Sequence, residues 1–145
     1  MSKYEFDGFH SGDSIYNNLS EYRRLECIDG WKQFHSMQAA YKIVGPYVYF
    51  KSYDFMCCAF NRDLNLLYVD VAATTKSRTT NRQLSRFLAE WVNRNIGIYQ
   101  IDNAIAEYEN DESDYHIDNM FIAQVDVMTY INIRVVDDLA YQIGE

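Results

Sequence analysis

The sequence predicts one α+β domain, and three observations predict it. Residues 47–72 are dense in strand formers broken by turn residues. Leu84, Phe87, Leu88, Trp91 and Val92 then fall at i, i+3, i+4, i+7 and i+8, the spacing of one helix face. The chain has 145 residues, 48% hydrophobic and 23% charged, the proportions of a single globular unit. A chain of that length buries about 68–70% of its unfolded surface, enough for its own core.

The elements follow in order. Residues 1–12 are polar and read as a flexible arm on the single domain 1–145. Asp13 or Ser14 can cap a helix whose stripe is Ile15, Leu19 and Tyr22, ending near Asp29-Gly30. Trp31 to Ile43 reads both ways: Met37, Ala39 and Ala40 favour a helix, while Tyr41 and Ile43 could begin a strand. Gly45-Pro46 is a turn and holds the chain's one proline. Tyr47–Phe50, Phe55–Phe60 and Leu66–Val71 then read as strands, the last two joined by the turn Asn61–Asn65. Together they predict a three-stranded antiparallel meander over about 47–72, packed by an amphipathic helix over about 79–94. Thr79 or Thr80 is the expected N-cap of that helix, and Asn95 and Gly97 its stop. Ile98, Ile101, Ile105 and Tyr108 predict a further helix over 98–110. Ile117 to Val136 suggests two strands, and residues 136–141 a short closing helix.

Composition narrows the function classes. Thirteen tyrosines, eight phenylalanines and two tryptophans argue against intrinsic disorder. An odd cysteine count (Cys27, Cys57, Cys58) argues against a disulfide scaffold and for buried thiols in a reducing cytoplasm. Cys57 and Cys58 are neighbours, so on a regular strand they point to opposite faces. No apolar run is long enough to span a membrane, and the N-terminus has no signal-peptide core.

Charge is the most polarised property. Residues 95–145 carry eleven acids and one base, Arg134, for a net −10. Residues 31–94 carry nine bases and four acids, a net +5, and residues 1–30 a net −3. Six acids, Glu107, Glu109, Asp111, Glu112, Asp114 and Asp118, lie within twelve residues. If residues 100–118 are one helix, Glu107, Asp111, Asp114 and Asp118 share a face and repeat about every 5–6 Å. A DNA strand presents a phosphate about every 3.4 Å, so such a ridge could imitate a phosphate backbone to a basic groove. The plainer reading is a solvated acidic face.

Asp114, His116 and Asp118 alternate and could hold a divalent ion on a strand, but the run lacks the glycine an EF-hand loop needs. A metal-dependent enzyme is therefore the remote alternative. No cofactor is implied. Lys76, Arg78, Arg82 and Arg86 form a basic face on the 79–94 helix, suited to phosphate, to an acidic protein, or to this chain's own acids. Catalysis has little support: the sequence contains no nucleophile elbow, Cys/His signature or phosphate-cradling glycine loop.

Ser52-Tyr53, Ala59, Leu67-Tyr68-Val69, Thr74-Thr75 or Thr79-Thr80, Arg82 and Phe87-Leu88 resemble a segment of small uncharacterised proteins of phages that infect Gram-positive bacteria. There a sheet leads through a Thr-Thr-x-x-His pattern into an amphipathic helix. Here Gln83 stands near the histidine position, and the Thr-rich loop is longer. The resemblance implies a source rather than a reaction: small acidic phage proteins include host-takeover factors such as anti-CRISPR proteins and other DNA mimics. The expectation is therefore a non-enzymatic inhibitor acting in the host bacterial cytoplasm. It would bind the basic nucleic-acid surface of a CRISPR effector such as Cas9. It is not expected to bind duplex DNA directly, because ten excess negative charges stand against it. The alternative is a phage regulatory or structural module using the arginine face, and exposed aromatics could equally serve a homodimer.

Overall fold

The computed structural model describes residues 30–110 and 120–144. The fold is mixed α+β, built on one seven-stranded sheet. The strands are β1 (Lys32–Gln33), β2 (Ala39–Val44), β3 (Tyr47–Ser52), β4 (Phe55–Asn61), β5 (Leu66–Asp70), β6 (Met120–Asp126) and β7 (Thr129–Val136). Their order is β1-β2-β3-β4-β5-β7-β6, antiparallel except where β5 and β7 run parallel. The expected strands over about 47–72 therefore do not stand as a separate three-stranded meander; they are the centre of a larger sheet. On one side β2 pairs with β3, and the ambiguous 31–43 stretch is two strands, Lys32–Gln33 and Ala39–Val44, joined by a turn. On the other side β7 pairs with β5, a contact 66 residues away that no local pattern announces (Leu66 lies opposite Asn132).

A parallel pair needs a crossover, and the helices supply it. α1 (Arg78–Phe87) runs into a π-helical turn at Leu88–Val92, and α2 (Ile98–Glu109) follows. Both pack on one face of the sheet. The core there contains Val48, Phe50, Leu67, Val69, Ile131, Ile133 and Val135 from strands, and Leu84, Phe87, Leu88, Ile101, Ala104 and Ile105 from helices. Phe87 stacks on Phe50 with ring centroids 4.5 Å apart, and Phe34 meets Phe50 edge-on at 5.3 Å. The helix expected over about 79–94 is thus present at 78–92, with Leu84, Phe87 and Leu88 of its apolar stripe buried and Trp91 and Val92 partly buried. Its N-cap is Ser77 rather than Thr79 or Thr80: the Ser77 hydroxyl accepts the Thr80 N–H at 3.0 Å. That start leaves Thr80 inside the helix and buried.

The second face carries a smaller cluster, Trp31, Ala40, Met56, Ala59 and Leu139, bordered by Tyr47, Tyr49 and Tyr68. The short helix α3 (Leu139–Gln142) lies against it. Buried Asp70 ties α3 to the sheet, accepting Leu139 N–H at 2.9 Å and Ala72 N–H at 2.8 Å.

One strand departs from simple alternation. Phe50 lies opposite Cys58 and Lys51 opposite Met56, so Cys57 is an extra residue in β4. This bulge rotates the strand by one position. Cys57 and Cys58 consequently both lie in the helix-side core, not on opposite faces. The turn between β2 and β3 holds Gly45 at φ +59, a conformation glycine adopts without steric cost. Pro46, whose ring holds φ negative, follows it.

The expected helix at 98–110 and the two strands within 117–136 are present as α2, β6 and β7. The arm 1–12, the helix starting at Asp13 or Ser14, and Cys27 lie outside the described residues. Among the described residues no helix is long and apolar enough to cross a membrane.

Candidate functional site

The helical layer presents two faces of opposite charge. α1 has no acid and exposes Arg78, Arg82 and Arg86. These arginines share the solvent side because Leu84, Phe87 and Leu88 occupy the sheet side. α2 has no base and exposes Asp102, Glu107 and Glu109. Asp102 adds to the acids singled out from sequence; its position seven residues before Glu109, two turns along the same helix side, was the available signal. α2 closes at Glu109 with Asn110 as its C-cap. Asp111, Glu112, Asp114, His116 and Asp118 lie outside the described residues, and with them the proposed ion site. Among the described residues, no three His, Cys, Asp or Glu side chains converge as a metal set.

The arginine face divides on inspection. Lys76 Nζ sits 4.4 Å from the centroid of the Phe55 ring, a cation–π contact that holds it against the sheet edge. Arg86 Nε pairs with Glu90 Oε2 at 2.7 Å, one helical turn along. His35, from the β1–β2 connection, reaches the same carboxylate, with its Nε2 2.8 Å from each oxygen. Partial burial pushes the Glu90 carboxyl up, but the Arg86 guanidinium and the His35 ring outweigh it and hold it below the usual carboxylate value. Glu90 lies in the π-helical turn and His35 has φ +55, so two locally unfavourable backbone features are joined by this contact. Arg78 and Arg82 form no ion pair among the described residues. The arginine ridge is therefore not spent neutralising the acids of α2.

Beneath the ridge runs an ordered chain of buried hydroxyls. Ser52 Oγ donates to Gln83 Oε1 at 2.6 Å. Having given its one proton, Ser52 must accept from Thr80 Oγ1 at 2.9 Å. Thr80 in turn accepts from Ser77 Oγ at 3.1 Å. Ser52, Thr80 and Gln83 are 1%, 3% and 5% exposed. Above them a shallow groove of ≈ 550 Å³ is lined by Met37, Thr79, Arg82, Gln83, Ser85, Arg86 and Ala89. Sequence reasoning singled out Arg82 and Arg86 but gave Gln83 and Thr80 no part in a site. The overlooked signal was two polar residues on the buried stripe, four and one positions before Leu84.

Apolar exposure concentrates elsewhere, on the β6–β7 hairpin: Ile122 is 60% exposed, Val127 82% and Met128 84%. The chain matches no family model, no curated protein and no solved structure.

Proposed function

We propose that the protein acts by binding, as an acidic inhibitor that occupies the basic nucleic-acid surface of a host enzyme, most specifically a CRISPR effector such as Cas9. In that role it is an anti-CRISPR protein of phage origin working in the host cytoplasm. The observation that carries the reading is the acidic solvent side of α2, with Asp102 and Glu109 on one flank and Glu107 on the other. Asp102, Glu107 and Glu109 are exposed and share their helix with no base. In sequence they lead straight into Asp111, Glu112, Asp114 and Asp118. Carboxylates in such density compete with phosphates for lysine- and arginine-lined channels, and their effect weakens with salt.

A second reading, a phage regulatory or structural module that contacts its partner through α1, is favoured by exposed Arg78 and Arg82, which have no ion pair among the described residues. One experiment separates the two. Target cleavage by purified Cas9 is measured with the wild-type protein, with a variant in which Asp102, Glu107, Glu109, Asp111, Asp114 and Asp118 are amidated to Asn or Gln, and with an Arg78→Gln/Arg82→Gln variant. The acidic reading requires inhibition by the wild type, loss in the amidated variant and a shallower salt dependence of its residual binding. Inhibition that survives amidation but fails in the arginine variant would transfer the function to α1. No inhibition by the wild type refutes Cas9 as the target.

A further inference from the structure

We propose that the groove over α1 is a binding site for a small phosphate monoester carrying an apolar body. The inference is independent of the acidic-face reading, since none of its residues lies in 102–118. Three features converge on that ligand class.

The first is an unspent, oriented donor on the groove wall. Gln83 is 5% exposed and lines the groove. Its Oε1 is held by the Ser52 hydroxyl at 2.6 Å, which orients the amide. Its Nε2 has no acceptor among the described residues. Gln83 Nε2 is not one of the buried side-chain atoms left without a partner, so it reaches solvent, and a ligand in the groove can take the place of that water.

The second is cationic. Arg82 and Arg86 stand one helical turn apart, about 6 Å along the axis, on the lip of the same groove. Arg86 is fixed through Nε to Glu90, which leaves its two terminal nitrogens to face a ligand. Arginine forks suit phosphate oxygens. The Gln83 amide and the Thr79 hydroxyl line the same groove, and this number of donors suits the several oxygens of a phosphate better than the two of a carboxylate.

The third is size and lining. The ≈ 550 Å³ groove lies within the range of small-molecule sites, about 300–1,000 Å³. Met37 and Ala89 give it an apolar wall, which inorganic phosphate leaves unused.

The test uses the full-length protein, isotope-labelled, titrated separately with phenyl phosphate, inorganic phosphate and benzoate and followed by amide NMR. The expected result is saturable shifts at Thr79, Arg82 and Ser85 with phenyl phosphate, and weaker binding of the other two probes. Arg82→Gln, at an exposed position, should weaken phenyl phosphate by roughly tenfold, as should Gln83→Glu, which keeps the Ser52 contact and replaces the donor with a carboxylate. Absence of saturable shifts overturns the site. Equal affinity in Arg82→Gln and wild type overturns the assigned donors. Benzoate binding as tightly as phenyl phosphate overturns the ligand class.

Discussion

Changing Ser52 to alanine removes a single hydroxyl from the interior, and the structure sets what that should cost. Ser52 is 1% exposed, so no water replaces the lost group without rearrangement. Gln83 Oε1 loses its 2.6 Å donor and Thr80 Oγ1 loses its 2.9 Å acceptor. A buried polar group left without its partner costs about 1–3 kcal/mol. The Thr80 hydroxyl can rotate and keeps its contact with Ser77, so most of the penalty falls on Gln83. The expected loss for Ser52→Ala is therefore about 2 kcal/mol, or a fall in Tm of about 4–8 °C for a domain of this size. Urea unfolding followed by far-UV circular dichroism measures it. The double variant Ser52→Ala/Gln83→Leu removes both ends of the bond and strands no acceptor, so it should be more stable than the sum of the single changes by at least about 1 kcal/mol. A Ser52→Ala loss below about 0.5 kcal/mol, or strict additivity in the double variant, would refute the Ser52–Gln83 hydrogen bond as a stabilising contact.

Two further expectations concern titratable groups. Glu90 has a lowered carboxyl pKa, so its contact with Arg86 and His35 stabilises fully above the unfolded value of 4.5 and fades as pH falls through the lower folded value. The pair is exposed, so Glu90→Gln should cost no more than about 1 kcal/mol near neutrality and flatten the stability profile below pH 4.5, as acid-titrated denaturation would read. Burial pushes the Cys57 thiol up to about 12 and Cys58 well above its usual value. Neither should react with iodoacetamide at neutral pH while the protein is folded, and both should react in denaturant; mass spectrometry of native, labelled protein carrying an adduct on either residue would contradict this.

The elements carried by periodic side chains were readable from sequence. The α1 stripe, Leu84, Phe87, Leu88 and Trp91, marks a face whose burial does not depend on which strands it meets. The hairpin strands of 47–70 were equally legible because their partners are sequence neighbours. Legibility failed where one residue changed the count or a partner was remote. The bulge at Cys57 breaks a two-residue period that composition cannot reveal. The N-cap moved to Ser77 because Thr80 is needed inside, hydrogen-bonded to Ser52 across 28 residues. The pairing of β5 with β7 joins segments separated by two helices, and no turn residue records it.

The same division holds for the candidate sites. Sequence alone determined the charge map, because formal charge needs no fold, and it determined that Arg78, Arg82 and Arg86 share a helix face, because that follows from 3.6 residues per turn. Only the tertiary structure decided what those charges meet. It brings His35 from the strand edge onto Glu90, which engages Arg86, and leaves Arg78 and Arg82 without an ion pair among the described residues. It also turns Gln83, a polar residue in an apolar stripe, into an oriented amide lining a groove. The physical reason is that a hydrogen bond or ion pair is decided within about 3–4 Å, a distance that chain separation does not encode.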